Sequence, residues 1–171
     1  MNHPLPEITL RALEPDDLDF LYDIENDRQL WDVGATNVPY SRSVLTEYIV
    51  NNAADIYTDK QVRLVMQNSN GERVGLLDIF NFDPRHARAE IGVVVAKPFR
   101  RNGYAAAALK QALHYSKQIC HLNQVYALVD CQNIPSRALF EKVGFVHTAD
   151  LKKWLQKDDF FCDAWMMQFF L

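Results

Sequence analysis

Arg100, Arg101 and Gly103 lie between a β-branched run, Val93 to Val95, and an alanine-rich segment that starts at Tyr104. A strand that turns directly into a helix leaves several N–H groups at the helix start without partners. Those donors and the positive end of the helix dipole make an anion site, the dipole alone being worth about 1 kcal/mol. Gly103 would let the backbone approach a ligand closely, and Ala105 keeps the following position small. The two guanidiniums would add charge-assisted bonds to a diphosphate. The same loop also suits an ordinary crossover whose arginines are solvated, and spacing alone leaves both readings open.

Other chemistries find less support. There is no G-x-x-x-x-G-K-[ST] and no G-x-G-x-x-G, which disfavours a P-loop or a dinucleotide site. Cys120, Cys131 and Cys162 show no C-x-x-C spacing and the five histidines no ligand spacing, so no metal is expected. Free thiols in a reducing cytosol fit such an odd set. Lys and Arg total 18 against 22 Asp and Glu, a formal net charge of -4, which argues against a nucleic-acid partner. The start, MNHPLPEITL, lacks a cationic region followed by an apolar core, and no run approaches the roughly 20 residues of a membrane span. A cytoplasmic chain without a membrane partner is expected, and 171 residues suit one domain, 1–171.

The elements that must position the loop follow from pattern. Glu7–Leu13 reads as a first strand, and Pro15-Asp16-Asp17 opens a helix with Leu18, Leu21, Tyr22 and Ile24 on one face. Leu30–Tyr40 reads as loop, with Gly34, Asn37 and Pro39 as breakers, and Ser41 caps a helix through Ile49. Gln61–Gln67 and Arg73–Phe80 form a hairpin around Asn70-Gly71. Asp83 to His86 turns into a strand, Ala89–Ala96, dense enough in Val and Ile to be buried on both faces. Tyr104–Ile119 is the clearest helix, and Val125–Asp130 another strand. Pro135 starts a helix that Gly144 ends, and two strands near Val146–Leu155 and Phe161–Phe170 close the chain. The sum is an α/β (α+β) domain of about seven strands and four helices, with no internal repeat.

The segment Arg-Arg-Asn-Gly-Tyr-Ala at 100–105 resembles the R/Q-x-x-G-x-G/A signature of the GNAT N-acetyltransferase superfamily, in place after a strand and before a long helix. About thirty residues on, Gln132 to Phe145 is similar to the family's second signature, N…S/A…K-x-G-F. The two blocks span roughly Arg88 to Phe145, and the chain is most similar to the branch of spermidine and ribosomal-protein N-terminal acetyltransferases.

The resemblance implies a mixed, mostly antiparallel sheet and acetyl-CoA as cosubstrate. It implies that backbone groups of Val93, Val94 and Val95 hold the pantetheine arm. The N–H groups of Arg100, Arg101, Asn102, Gly103, Tyr104 and Ala105 would hold the pyrophosphate. Asn133 corresponds to a family asparagine that touches the cofactor, and Ser136 either touches it or caps its helix. Glu90 matches a glutamate frequent in the branch and is the candidate base, the alternative being a strand-end carboxylate paired with Arg88 or Arg11. An alkylammonium near pKa ~10.4 costs roughly 4–5 kcal/mol to deprotonate at pH 7, which is what such a base would offset. Many relatives carry a tyrosine where this chain has Phe140, a position from which the leaving thiol would otherwise be protonated. Thiolate departure unaided costs only about 2 kcal/mol at pH 7, so Phe140 does not exclude transfer; either an acid comes from elsewhere, none is needed or the enzyme is weak, and a non-catalytic CoA-binding sensor is the alternative it favours.

For the acceptor, Asp16, Asp17, Asp19, Asp23, Glu25 and Asp27 crowd the first helix, which the family places beside the acceptor, and would attract a polyamine or other small amine. The same carboxylates suit a solvated helix face. Trp31 and Asp78 are further acceptor-cleft candidates alongside Glu90. A peptide N-terminus is the alternative acceptor, and homo-oligomerisation is left open.

Overall fold

A computed structural model of the chain describes residues 4–31, 38–52 and 55–171. In chain order its elements are β1 (Ile8–Ala12), a 3₁₀ turn (Pro15–Asp17), α1 (Leu18–Glu25), α2 (Arg28–Trp31), α3 (Arg42–Asn51), α4 (Ile56–Asp59), β2 (Val62–Asn68) and β3 (Arg73–Asp83). Then follow β4 (Arg88–Val95), a 3₁₀ turn (Lys97–Phe99), α5 (Tyr104–Gln118), β5 (Gln124–Asp130), α6 (Ile134–Val143), β6 (Val146–Lys157) and β7 (Phe160–Phe170). One seven-stranded sheet runs in the order β1-β2-β3-β4-β5-β7-β6. Its pairings are antiparallel except β4 with β5.

Six α-helices stand among the described residues, against the four expected. The two extra ones, α2 and α4, are four residues each, too short to carry a periodic apolar stripe. Part of the expected Leu30–Tyr40 loop is therefore helical at α2, and residues 32–37, including Gly34 and Asn37, lie outside the described residues. Elsewhere the expected ends hold to within a few residues. Ser41 does cap α3, its hydroxyl accepting the Val44 N–H at 3.2 Å. Gly144 ends α6 in the left-handed region at φ 112°, which a side chain would strain.

Helices cover both faces. On one face, Ala106, Ala107, Ala108, Leu109 and Ala112 of α5 pack against Ala89 and Ile91 of β4 and Val125 and Ala127 of β5. The alanines let the helix axis come close to the sheet, so the N-terminus of α5 sits directly behind the end of β4. On the other face, Leu21 of α1 and Leu45 and Ile49 of α3 cluster with Val65 and Leu76.

Candidate active site

β4 is the strand on which the site is built. It pairs with β3 along its length, to Gly75–Val95, but with β5 only at Arg88–Gln124, Ala89–Val125 and Glu90–Tyr126. Beyond Glu90 the two parallel strands diverge, although β4 runs on to Val95 and β5 to Asp130. The expectation that this strand is buried on both faces is thereby corrected. Ala89 and Ile91 are buried, whereas Val93, Val94 and Val95 are only half-buried because no β5 residue covers that edge. An open strand edge of this kind offers backbone donors and acceptors to an extended ligand.

That edge leads into the loop 96–103. Gly103 is the N-cap of α5 at φ 85°, with no side chain capping the helix. A Cβ there would lie 3.0 Å from Pro6 Cδ in a backbone region that L side chains rarely adopt, so glycine is required. The N–H groups at the start of this 15-residue helix have no intrahelical acceptor, and small side chains leave them approachable. These features fit the diphosphate of acetyl-CoA, and the open edge at Val93–Val95 fits its pantetheine arm. The arginines contribute differently from one another. Arg100 Nε donates to the Val95 carbonyl at 3.0 Å, which ties the loop to the strand end, while Arg101 takes a left-handed φ of 66°. Asn102 Nδ2 donates to the Phe99 carbonyl at 3.2 Å, and the Tyr104 ring packs edge-on against Phe99. The Asn102 amide and the Tyr104 ring are thus both engaged with Phe99.

Asn133 is the N-cap of α6, its Oδ1 accepting the Ser136 N–H at 3.1 Å. This corrects the capping role considered for Ser136, which supplies the donor and not the cap. Phe140 is buried and packs edge-on against Phe145 with ring centroids 4.9 Å apart, so an apolar wall stands where a proton donor was absent. Cys120 and Cys162 are buried with thiols pushed up chiefly by that burial, which makes them poor nucleophiles.

Glu90 sits at the last rung before the strands part, half-buried. It pairs with neither Arg88 nor Arg11: Arg88 bonds Asp83 at 3.2 Å and Arg11 bonds Asp17 at 2.7 Å. Its hydrogen-bond donor is Asn81, whose Nδ2 donates to Oε2 at 2.9 Å, and its rung partner on β5 is Tyr126, whose hydroxyl also favours the carboxylate. Burial pushes the Glu90 carboxyl above its ordinary value, and the two hydrogen bonds offset part of that rise. Burial also raises the Tyr126 phenol, with the Glu90 charge adding to it, so Tyr126 stays a neutral donor. Asn81 reaches Glu90 because the β3–β4 register shifts between Phe80 and Asp83, with Asn81 at φ 49°. A bulge re-aims a side chain in this way, and asparagine tolerates the left-handed region. Neither partner is foreseen from sequence. An asparagine between two phenylalanines near the end of β3 is the one signal of the bulge, and Tyr126 needs the strand register.

Asp78 and Trp31 belong to a neighbouring network and not to the Glu90 cluster. Arg63 lies between Asp78, at 2.7 Å, and Glu25, at 2.5 Å, with the Tyr48 ring beside it. The Trp31 indole N–H donates to the Glu25 carbonyl at 2.9 Å. The acidic first helix is also largely engaged. Asp17 is fully buried between Arg11 and Arg73, Asp19 pairs with Arg42, and Asp27 pairs with Lys97 at 3.3 Å. The expected electrostatic attraction for a polyamine is weakened because these carboxylates already face cations.

Next to Glu90 a cavity of about 390 Å³ opens on the same face of the sheet, lined by Asn81 and Tyr126 and walled by Leu128, Leu151, Trp154 and Met166. Among the described residues no His, Cys, Asp and Glu cluster could hold a metal, and no helix is long and apolar enough to cross a membrane.

A diverging parallel strand pair, an uncapped helix start behind it and a half-buried carboxylate at the fork define an acyl-CoA-dependent transferase. Residues 7–146 match the model of the acetyltransferase (GNAT) domain, and the chain belongs to that family as an acetyl-CoA-dependent N-acetyltransferase. It is 28% identical over 145 residues to the spermidine N(1)-acetyltransferase of Vibrio cholerae serotype O1, covering 85% of this chain and 82% of that protein. It is 32% identical over 143 residues to the putative ribosomal N-acetyltransferase YdaF of Bacillus subtilis, covering 81% and 78%. The crystal structure of spermidine N-acetyltransferase from Vibrio cholerae in complex with CoA and spermine superposes with a TM-score of 0.84 at 27% identity, covering 95% of each chain.

Proposed function

We propose that the protein passes the acetyl group of acetyl-CoA directly to a small primary amine, with Glu90 receiving the amine proton. The observation that carries this reading is the end of the β4–β5 pairing at Glu90–Tyr126, which puts a carboxylate of raised pKa at the mouth of the open edge. Acetyl-CoA supplies an activated acyl group as its thioester. The backbone of Val93–Val95 holds its extended arm, the N–H groups of residues 100–105 its diphosphate, and Asn133 and Ser136 border it from the start of α6. The amine nitrogen forms a bond to the acyl carbon, the carbon–sulfur bond breaks, and sulfur keeps the electron pair. The proton released by nitrogen goes to Glu90, whose carboxylate Asn81 and Tyr126 orient. Phe140 offers no proton, so the thiol leaves as thiolate at a cost of about 2 kcal/mol at pH 7.

Spermidine is the first acceptor to examine, since it stands in the name of the Vibrio relative. A peptide α-amine is the second, on the strength of the Bacillus relative. Free thiol is followed while acetyl-CoA is mixed with a panel of amines and peptides. Amine-dependent thiol release is expected. Tight acetyl-CoA binding with no turnover on any acceptor would instead make the protein a CoA sensor.

A further inference from the structure

Resting on that reading, we propose that the acceptor is a singly charged primary amine with an apolar body, an aralkylamine in its simplest form, and not a polyamine. The cavity beside Glu90 adjoins the proposed reacting centre, because Asn81, which bonds the Glu90 carboxyl, and Tyr126, the β5 rung partner of Glu90, both line it. An amine whose body fills the cavity therefore brings its nitrogen to Glu90.

The cavity's charge fits one ammonium and no more. Its charged lining consists of Asp83 and Arg88, which pair with each other at 3.2 Å. A second ammonium on the same chain would meet the Arg88 guanidinium and a carboxylate already engaged. Along α1 and its flanks, Arg11, Arg73, Arg42, Arg63 and Lys97 hold the carboxylates of Asp17, Asp19, Glu25 and Asp27, and among the described residues no carboxylate of that helix lines this cavity. A second ammonium would have to use the Trp154 face beside the Arg88 guanidinium, a surface that an apolar body covers without desolvating a charge.

The walls, by contrast, ask for apolar cover. Leu128 and Met166 are directly opposed rungs of β5 and β7, and with Leu151 they form an apolar floor. Trp154 stands at the rim, 55% exposed, so a ligand body laid on it would remove aromatic surface from water. A volume of about 390 Å³ lies at the small end of ligand sites, suited to one ring and a short chain.

The test titrates the CoA-saturated protein calorimetrically with 2-phenylethylamine and with spermidine, alongside thiol release from acetyl-CoA with each. Phenylethylamine should bind at least tenfold tighter and show the higher kcat/KM. Trp154→Ala should weaken phenylethylamine about tenfold while leaving CoA affinity unchanged, and Arg88→Gln should improve spermidine severalfold. Spermidine binding as tightly as phenylethylamine, no measurable phenylethylamine binding, or indifference to Trp154→Ala would each overturn the proposal. If neither amine is acetylated while acetyl-CoA binds, the transferase reading fails, and the titration still decides what the cavity accepts.

Discussion

The two halves of the cleft are made of different material. The half proposed for the cofactor, Val93 to Ala105, is contiguous in the chain and offers backbone: an open strand edge, a left-handed glycine and the first N–H groups of α5. The acceptor half works through side chains carried by separate strands, with Asn81 on β3, Glu90 on β4, Tyr126 on β5 and Trp154 on β6. Substitutions should accordingly act on kcat in one half and on cofactor affinity in the other.

The largest separation is expected from Glu90→Gln. Removing a general base lowers rate by about 10²- to 10³-fold, and kcat should fall by that amount while acetyl-CoA affinity measured by titration stays within twofold. Stability should move the other way. A carboxyl whose folded pKa lies above its unfolded value binds protons more readily when folded, so it weakens the fold as pH rises through that window and beyond. Glu90→Gln should thus melt no lower than wild type at pH 7, and higher if its amide keeps the Asn81 and Tyr126 contacts. A large loss of both rate and melting temperature would instead make Glu90 a structural residue.

The cofactor half should break in the opposite sense with Gly103→Val. Holding a β-branched residue at φ 85°, against Pro6, costs on the order of 1–3 kcal/mol. If the loop shifts to relieve it, acetyl-CoA affinity falls by about tenfold, each 1.4 kcal/mol being one decade. The kcat at saturating acetyl-CoA should change little. Arg100→Ala, in the same loop, should cost only about threefold in affinity, because this exposed guanidinium is already bonded to the Val95 carbonyl and surface charge contacts are weak.

The same contrast explains what sequence could and could not disclose. The loop 100–105 and the α6 start are legible as structure because they depend on local order: strand, glycine, helix. The strand ends around them were placed within a few residues by alternation and turn residues. The partners of Trp31 and Asp78 are not legible in the sequence, since residue type cannot show that Arg63 pairs with Asp78 and that the Glu25 carbonyl takes the Trp31 N–H. Tyr126 and Asn81 were invisible because one needs the β4–β5 register and the other a bulge. The same holds for the acidic first helix, whose partners Arg11, Arg42, Arg63, Arg73 and Lys97 are scattered along the chain.

The finest probe of the acceptor half is Tyr126→Phe. At the pH optimum its rate should stay within about twofold of wild type, since the phenol touches the base and not the reacting atoms, and one hydrogen bond of this kind is worth about 1–2 kcal/mol at most when compensated by water. The effect belongs in the pH profile. Glu90 must be a carboxylate to accept a proton, and the Tyr126 and Asn81 hydrogen bonds favour that form against burial. Removing either leaves burial less opposed, so the Glu90 pKa rises further and the acid limb of kcat/KM moves to higher pH. Tyr126→Phe and Asn81→Ala should each shift the limb upward, and the double variant further. A purely structural role for Tyr126 would lower kcat/KM evenly across pH and leave the position of the limb unchanged, so a profile that only scales would separate Tyr126 from Glu90.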